Sequence, residues 1–127
     1  MIAVASTTAG VFGIDLDDET VGPWPELPPV PAPPALNLPR VIAAAAAGST
    51  VVALVDAKPP LLVSHDAGST WRDSGRGLPP GQAIAIAESD PDLIVYAARN
   101  RLYLSRNGGV FWSSLAVELP TIEALAL

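Results

Sequence analysis

The sequence predicts an all-β fold of repeated four-stranded sheets, and three observations predict it. An octet recurs at a fixed distance: Ser64-His65-Asp66-Ala67-Gly68-Ser69-Thr70-Trp71 returns as Ser105-Arg106-Asn107-Gly108-Gly109-Val110-Phe111-Trp112, with Ser, Asp or Asn, Gly and Trp each displaced by 41 residues. The same displacement carries Leu78-Pro79 onto Leu119-Pro120 and Ala83-Ile84-Ala85-Ile86 onto Ala124-Leu125-Ala126-Leu127. Between these landmarks lie short apolar, often β-branched runs punctuated by Gly, Asn, Asp and Pro. Four strands in a period of about forty residues is the size of a propeller blade.

In chain order, residues 2–5 and 11–14 read as the second and third strands of a worn blade, with Trp24 as its anchoring indole. There the octet has decayed to Asp15-Leu16-Asp17-Asp18-Glu19, without the spaced Ser and Gly. Residues 25–39 read as a polyproline II connection, since eight prolines fall between positions 23 and 39 and proline fixes φ while removing a donor. Their Pro-x-x-Pro spacings also suit an SH3-like reader. Arg40, the nearest basic residue, lies beyond the whole stretch, and a stiff inter-blade linker is the preferred reading. Such a linker explains why Trp24 and Trp71 are 47 residues apart rather than 41.

Residues 41–47 contain Ala43 to Ala47, which by propensity alone favour a helix. Two β-branched residues precede them and Gly48 follows, too short a span for a stable helix. Their place in the repeat matches 83–87, and strand is preferred, with helix as the alternative. Residues 51–55, 61–63 and 70–71 complete a blade over 40–73. Residues 83–87, 93–97, 101–104 and 110–112 make the next, over 82–116. Residues 121–127 are a lone first strand.

The expected architecture is therefore three four-stranded propeller blades per chain, a half-propeller, with 1–24 and 121–127 forming one split blade. Joining that split within one chain would make a ring of three, below the four to eight blades usual for this architecture. The sequence thus predicts a two-fold homodimer, a six-bladed ring completed by a second chain through intermolecular strand pairing, which protects the apolar edge of 121–127. Truncation of a longer propeller is the rival explanation.

Composition narrows the function. Half the residues are hydrophobic and 16% charged, as in a folded domain rather than a disordered tail. Thirteen acidic against seven basic side chains give a net charge of −6, which repels phosphate backbones and argues against nucleic acid. The longest uncharged stretch, 27–39, is full of proline, so no membrane helix and no membrane partner are expected. The chain has no cysteine, excluding disulfides and thiolate metal sites. No Lys or Arg precedes the N-terminal apolar run, which ends at Ser6, so no signal peptide is read; the chain is cytoplasmic as written, with the compartment otherwise open.

The pattern Ser-x-Asp-x-Gly-x-Thr-Trp at 64–71 resembles the Asp-box, or BNR repeat, of sialidase-like, sortilin-like and photosystem assembly factor propellers. The two octets and the blade pattern around them cover most of the chain. The resemblance implies a structural staple away from any active site, so Ser64, Asp66, Gly68, Trp71, Ser105, Asn107, Gly109 and Trp112 are assigned structural roles. Asp66 is expected to accept backbone N–H groups of its own turn. Gly68 and Gly109 supply positive φ, and the two indoles bury surface between sheets. Asn107 keeps the acceptor and loses the charge.

The sialidase chemistry that the resemblance invites needs an arginine triad, a tyrosine nucleophile paired with an acid, and an acid/base aspartate. Only Tyr96 and Tyr103 are available, both at strand positions, so a glycoside hydrolase is the runner-up. The acids Asp15, Asp17, Glu19 and Glu26 imitate a calcium loop, but Thr20 stands where its glycine belongs and Pro23 and Pro25 lie inside. His65, the lone histidine, reads as a turn residue. No catalytic residue, cofactor or metal is expected. A non-catalytic binding or scaffold module is preferred, with a glycan or peptide as ligand. Its candidate ligand face is the set of loops carrying Asp56, Lys58, Asp73, Arg76, Arg99, Asn100 and Arg101, set around a tunnel lined by alanines; solvated rim charges are the plain alternative for each.

Overall fold

The computed structural model describes residues 1–127, and its regular elements are all strands: β1 (Ile2–Thr7), β2 (Gly10–Asp15), β3 (Thr20–Pro23), β4 (Val41–Ala47), β5 (Thr50–Val55), β6 (Leu61–Ser64), β7 (Arg72–Ser74), β8 (Ala83–Ala87), β9 (Asp90–Ala98), β10 (Arg101–Ser105), β11 (Ser113–Glu118) and β12 (Ile122–Ala126). They form three four-stranded antiparallel sheets, in the orders β12-β1-β2-β3 (sheet I), β4-β5-β6-β7 (sheet II) and β8-β9-β10-β11 (sheet III). This is the all-β, three-blade arrangement that the repeat predicts. No helix is long and apolar enough to cross a membrane.

The alanine run is a strand, with Ala44, Ala45 and Ala46 opposite Ala53, Val52 and Val51. Ladder hydrogen bonds, with half-buried Ala43 and Ala45 and buried Ala47 packed on a neighbouring sheet, outweigh the modest helix preference of alanine. The fourth strands lie later than the sequence predicts: β7 and β11 begin after Trp71 and Trp112, not at Thr70 and Val110. The reason is local. The amides of Thr70 and Phe111 bond the side chains of Asp66 and Asn107, so they belong to the turn and not to a ladder.

Sheet III is the middle layer, and its period-two alternation serves both neighbours. On β8, Ala83, Ala85 and Ala87 join a core with Ala3, Ala5, Ile14 and Leu125 of sheet I. Ile84 and Ile86 turn the other way, into a core with Val52, Leu54, Leu61 and Val63 of sheet II.

The pairing of the two chain ends is made inside one chain. β12 runs antiparallel to β1, with Val4 opposite Ala126 and Thr7 opposite Ile122, and the ladder continues through Thr8 N to Thr121 O at 3.0 Å. The strand joint that the sequence places between two molecules is thus closed within a single one. A tight ring of three is avoided because sheets I and II lie on opposite faces of sheet III. Residues 24–40 therefore bypass sheet III to connect β3 with β4. Pro29, Val30, Pro31 and Pro34 border a cleft of about 290 Å³ whose other walls are Ala44, Ile84 and Leu125 of the three inner strands. The alanine-lined passage expected from the sequence is bordered by the chain's own linker.

Candidate functional site

Each octet closes its turn through side chains. Ser64 Oγ donates to Asp66 Oδ1 at 2.7 Å and accepts from Gly68 N at 2.8 Å. Asp66 also accepts from Thr70 N at 2.8 Å and from the Thr70 hydroxyl at 2.6 Å. The Thr70 hydroxyl first, then the Thr70 amide and the Ser64 hydroxyl, hold the Asp66 carboxyl down at about 2. The second octet repeats the scheme without charge: Ser105 Oγ donates to Asn107 Oδ1 at 3.1 Å, Gly109 N donates to Ser105 Oγ at 2.8 Å, and Phe111 N donates to Asn107 Oδ1 at 3.0 Å. Gly68 and Gly109 have φ of 91° and 89°, the left-handed backbone that their sequence position predicts.

The turns also join the sheets. Ser74 Oγ, on β7 of sheet II, donates to Gly109 O at 2.5 Å and accepts from Trp112 Nε1 at 2.9 Å. Trp112 meets the buried ring of Tyr96 edge-on at 6.2 Å. Trp71 makes no such indole bond. On the other side, Arg106 donates to Leu16 O at 3.3 Å and to Asp17 at 3.0 Å, while Glu19 accepts from Ala116 N at 2.7 Å. The N-terminal ammonium, and then Arg106, lower the Asp17 pKa. Asp17 and Glu19 thus tie sheet I to sheet III, and Asp15 accepts from the amides of Asp17 and Asp18.

Of the residues marked as a ligand face, the structure brings four to one margin. Asp73 and Arg76 line a cleft of about 550 Å³ between β7 and the second octet. Lys58 and Arg76 line a neighbouring one of about 410 Å³. Asp56 and Lys58 share a third of about 270 Å³. Arg99, Asn100 and Arg101 stand apart from these clefts. They form the β9–β10 turn, where Gln82 Nε2 and Ile122 N donate to Arg99 O, Leu119 N donates to Asn100 O, and Arg101 pairs with Glu118 at 2.6 Å. The main-chain carbonyls of Arg99 and Asn100 thus close the turn and fasten β12.

Sequence reasoning missed Arg72, Ser74, Val110 and Phe111 as cleft residues and gave His65 no wall to form; all five line the 550 Å³ cleft. One signal was present: where the first octet has Ser69-Thr70, the second has Val110-Phe111. Tyr96 lies in the core, its hydroxyl donating to Pro79 O at 2.6 Å, and burial, with a smaller effect from Tyr103, raises its phenol to about 12.

No protein-family model matches the chain, and no curated protein matches it significantly. Among solved structures, the chain is similar to the GH74 enzyme of Niastella koreensis, with a TM-score of 0.50 and 22% identity over 93% of this chain. It spans 18% of that enzyme's length. The likeness supports a propeller-like all-β fold.

Proposed function

We propose that this chain is a non-catalytic binding or scaffold module of the Asp-box propeller kind, with its ligand seat on the margin where sheets II and III meet. The observation that carries this reading is the convergence of Asp56, Lys58, Asp73 and Arg76 on adjoining clefts there. Lys58 and Arg76 make none of the three ion pairs in the structure. Concave sites with a few convergent polar groups are where small ligands bind.

Glycan and peptide arrays, followed by amide shift mapping of any hit, test the reading. Shifts at 56–58 and 72–78 that Lys58→Ala and Arg76→Ala abolish are the expected result. Shifts confined to 99–101, or turnover of fluorogenic glycosides including a sialoside, would overturn it; the latter would favour the hydrolase alternative.

Self-association belongs to the same proposal, as exchange of β12 between two copies. The exchanged strand would keep every β1–β12 pair, and only residues 119–121 would change path. Short hinges favour such swaps. Light scattering is expected to give twice the 13.1 kDa chain mass; a monomer alone at micromolar concentration would remove the dimer and leave the binding seat intact.

A further inference from the structure

The cleft between β7 and the second octet carries chemistry that the turn itself does not need. In the first octet, the Thr70 hydroxyl bonds the box carboxylate at 2.6 Å. At the matching place the second octet has Phe111, which keeps only the backbone bond to Asn107. Phe111 and its neighbour Val110 are 71% and 79% exposed, the most exposed large hydrophobic residues of the chain. Exposing them loses apolar burial, and the staple gains nothing from them.

The opposite wall is cationic. Arg72 and Arg76 line the cleft with one carboxylate, Asp73, although the chain as a whole carries 13 acidic against 7 basic side chains. Neither arginine is ion-paired, whereas Arg101 and Arg106 both are. The amides of Arg76 and Gly77 donate to no protein acceptor. His65 and Asp92 cover Gly108, with His65 Cε1 2.9 Å and Asp92 Oδ1 3.2 Å from where a Cβ there would sit. Glycine at 108 thus leaves room for the imidazole to close one side of the cleft.

We propose that this cleft binds a small organic anion, its oxyanion held by Arg72 and Arg76 and its apolar, preferably aromatic, portion resting on Phe111 and Val110. Guanidinium groups offer paired donors to planar or tetrahedral oxyanions. A volume of about 550 Å³ suits a molecule of that size. The proposal rests on the binding reading above and names the ligand class for one of its adjoining clefts, the one that Asp73 and Arg76 line.

Titration of the full chain with phenylacetate, phenyl sulfate, inorganic sulfate and neutral 2-phenylethanol tests it, followed by the amides of Gly108 and Gly109 and the Trp112 indole N–H. The two aryl anions bind, at least about tenfold tighter than the neutral alcohol, and the tighter of them identifies the headgroup. Arg72→Ala and Arg76→Ala each weaken the aryl anions by about three- to tenfold, and Asp73→Asn tightens them by about threefold. Phe111→Ser weakens the aryl anions and leaves inorganic sulfate unchanged. All four side chains are exposed, so the variants keep the fold. Equal binding of the alcohol, or indifference to both arginine variants, would overturn the anion class while leaving the seat. Aryl-anion shifts appearing only at 99–101 would overturn both.

Discussion

At the scale of single residues, the two octets are a built-in comparison. Ala67 and Gly108 occupy the same place, with φ of 57° and 71°. An L-residue in that region costs about 1–2 kcal/mol, partly offset by the entropy that glycine loses on folding. Ala67→Gly is therefore expected to be neutral or to stabilise by up to about 1 kcal/mol in chemical denaturation. Gly108→Ala destabilises by about 1–3 kcal/mol, because it adds a Cβ against His65 as well as the strain. Asp66 has a pH signature. Its carboxyl is held below the ordinary 3.8, at about 2, so its contribution is complete above about pH 4 and lost as pH falls through about 2. Acid unfolding followed by tryptophan fluorescence should show this loss in the natural sequence and not in Asp66→Asn. Asp66→Ala should lower the thermal midpoint more than Asp66→Asn, since asparagine keeps the acceptor as Asn107 does. Turn chemistry was legible in the sequence because donor and acceptor lie within four residues of each other.

At the scale of elements, the strands were legible and some of their bounds were not. Residues 83–87 show the apolar run of a strand buried on both faces, and β8 falls there. The start of β7 and β11 was misplaced because Thr70, Val110 and Phe111 suit a strand by propensity, whereas their amide partners decide otherwise. The joint at Ser74 had no sequence signal at all: 41 residues on stands Leu115, and the hydroxyl acts only because a neighbouring sheet presents Gly109 and Trp112 to it. Ser74→Ala removes both bonds and leaves the Gly109 carbonyl without its partner, an expected loss of about 1–3 kcal/mol in urea unfolding. Trp112→Phe removes one of the two bonds together with part of the ring contact to Tyr96. The indole–hydroxyl bond is lost in both single variants, so the double variant should cost less than the sum.

At the scale of the molecule, the partnership of β12 with β1 was legible from the repeat, since Ala124 to Leu127 align with the inner strand at 83–86. Whether that partnership lies within one chain or between two was not, because the same ladder satisfies both. The linker reads differently once the sheets are placed. In polyproline II geometry residues 24–40 reach roughly 50 Å, ample for passing sheet III at roughly 10 Å per layer. The cleft residues were the least legible. Arg72 and Arg76 flank Asp73 on one segment, but Phe111 reaches them only through the docking of sheet II on sheet III.

The central position of sheet III has a kinetic corollary. Its strands β8, β9 and β10 are shielded by a companion layer on either side, so their amides reach water only when a companion lifts away. In native-state hydrogen–deuterium exchange, Val95, Tyr96 and Leu102 should be the slowest protons of the chain. Those of β3 and β7, at the margins of sheets I and II, should exchange orders of magnitude sooner. A core protected in this way keeps time for the whole molecule, while its two leaves breathe independently.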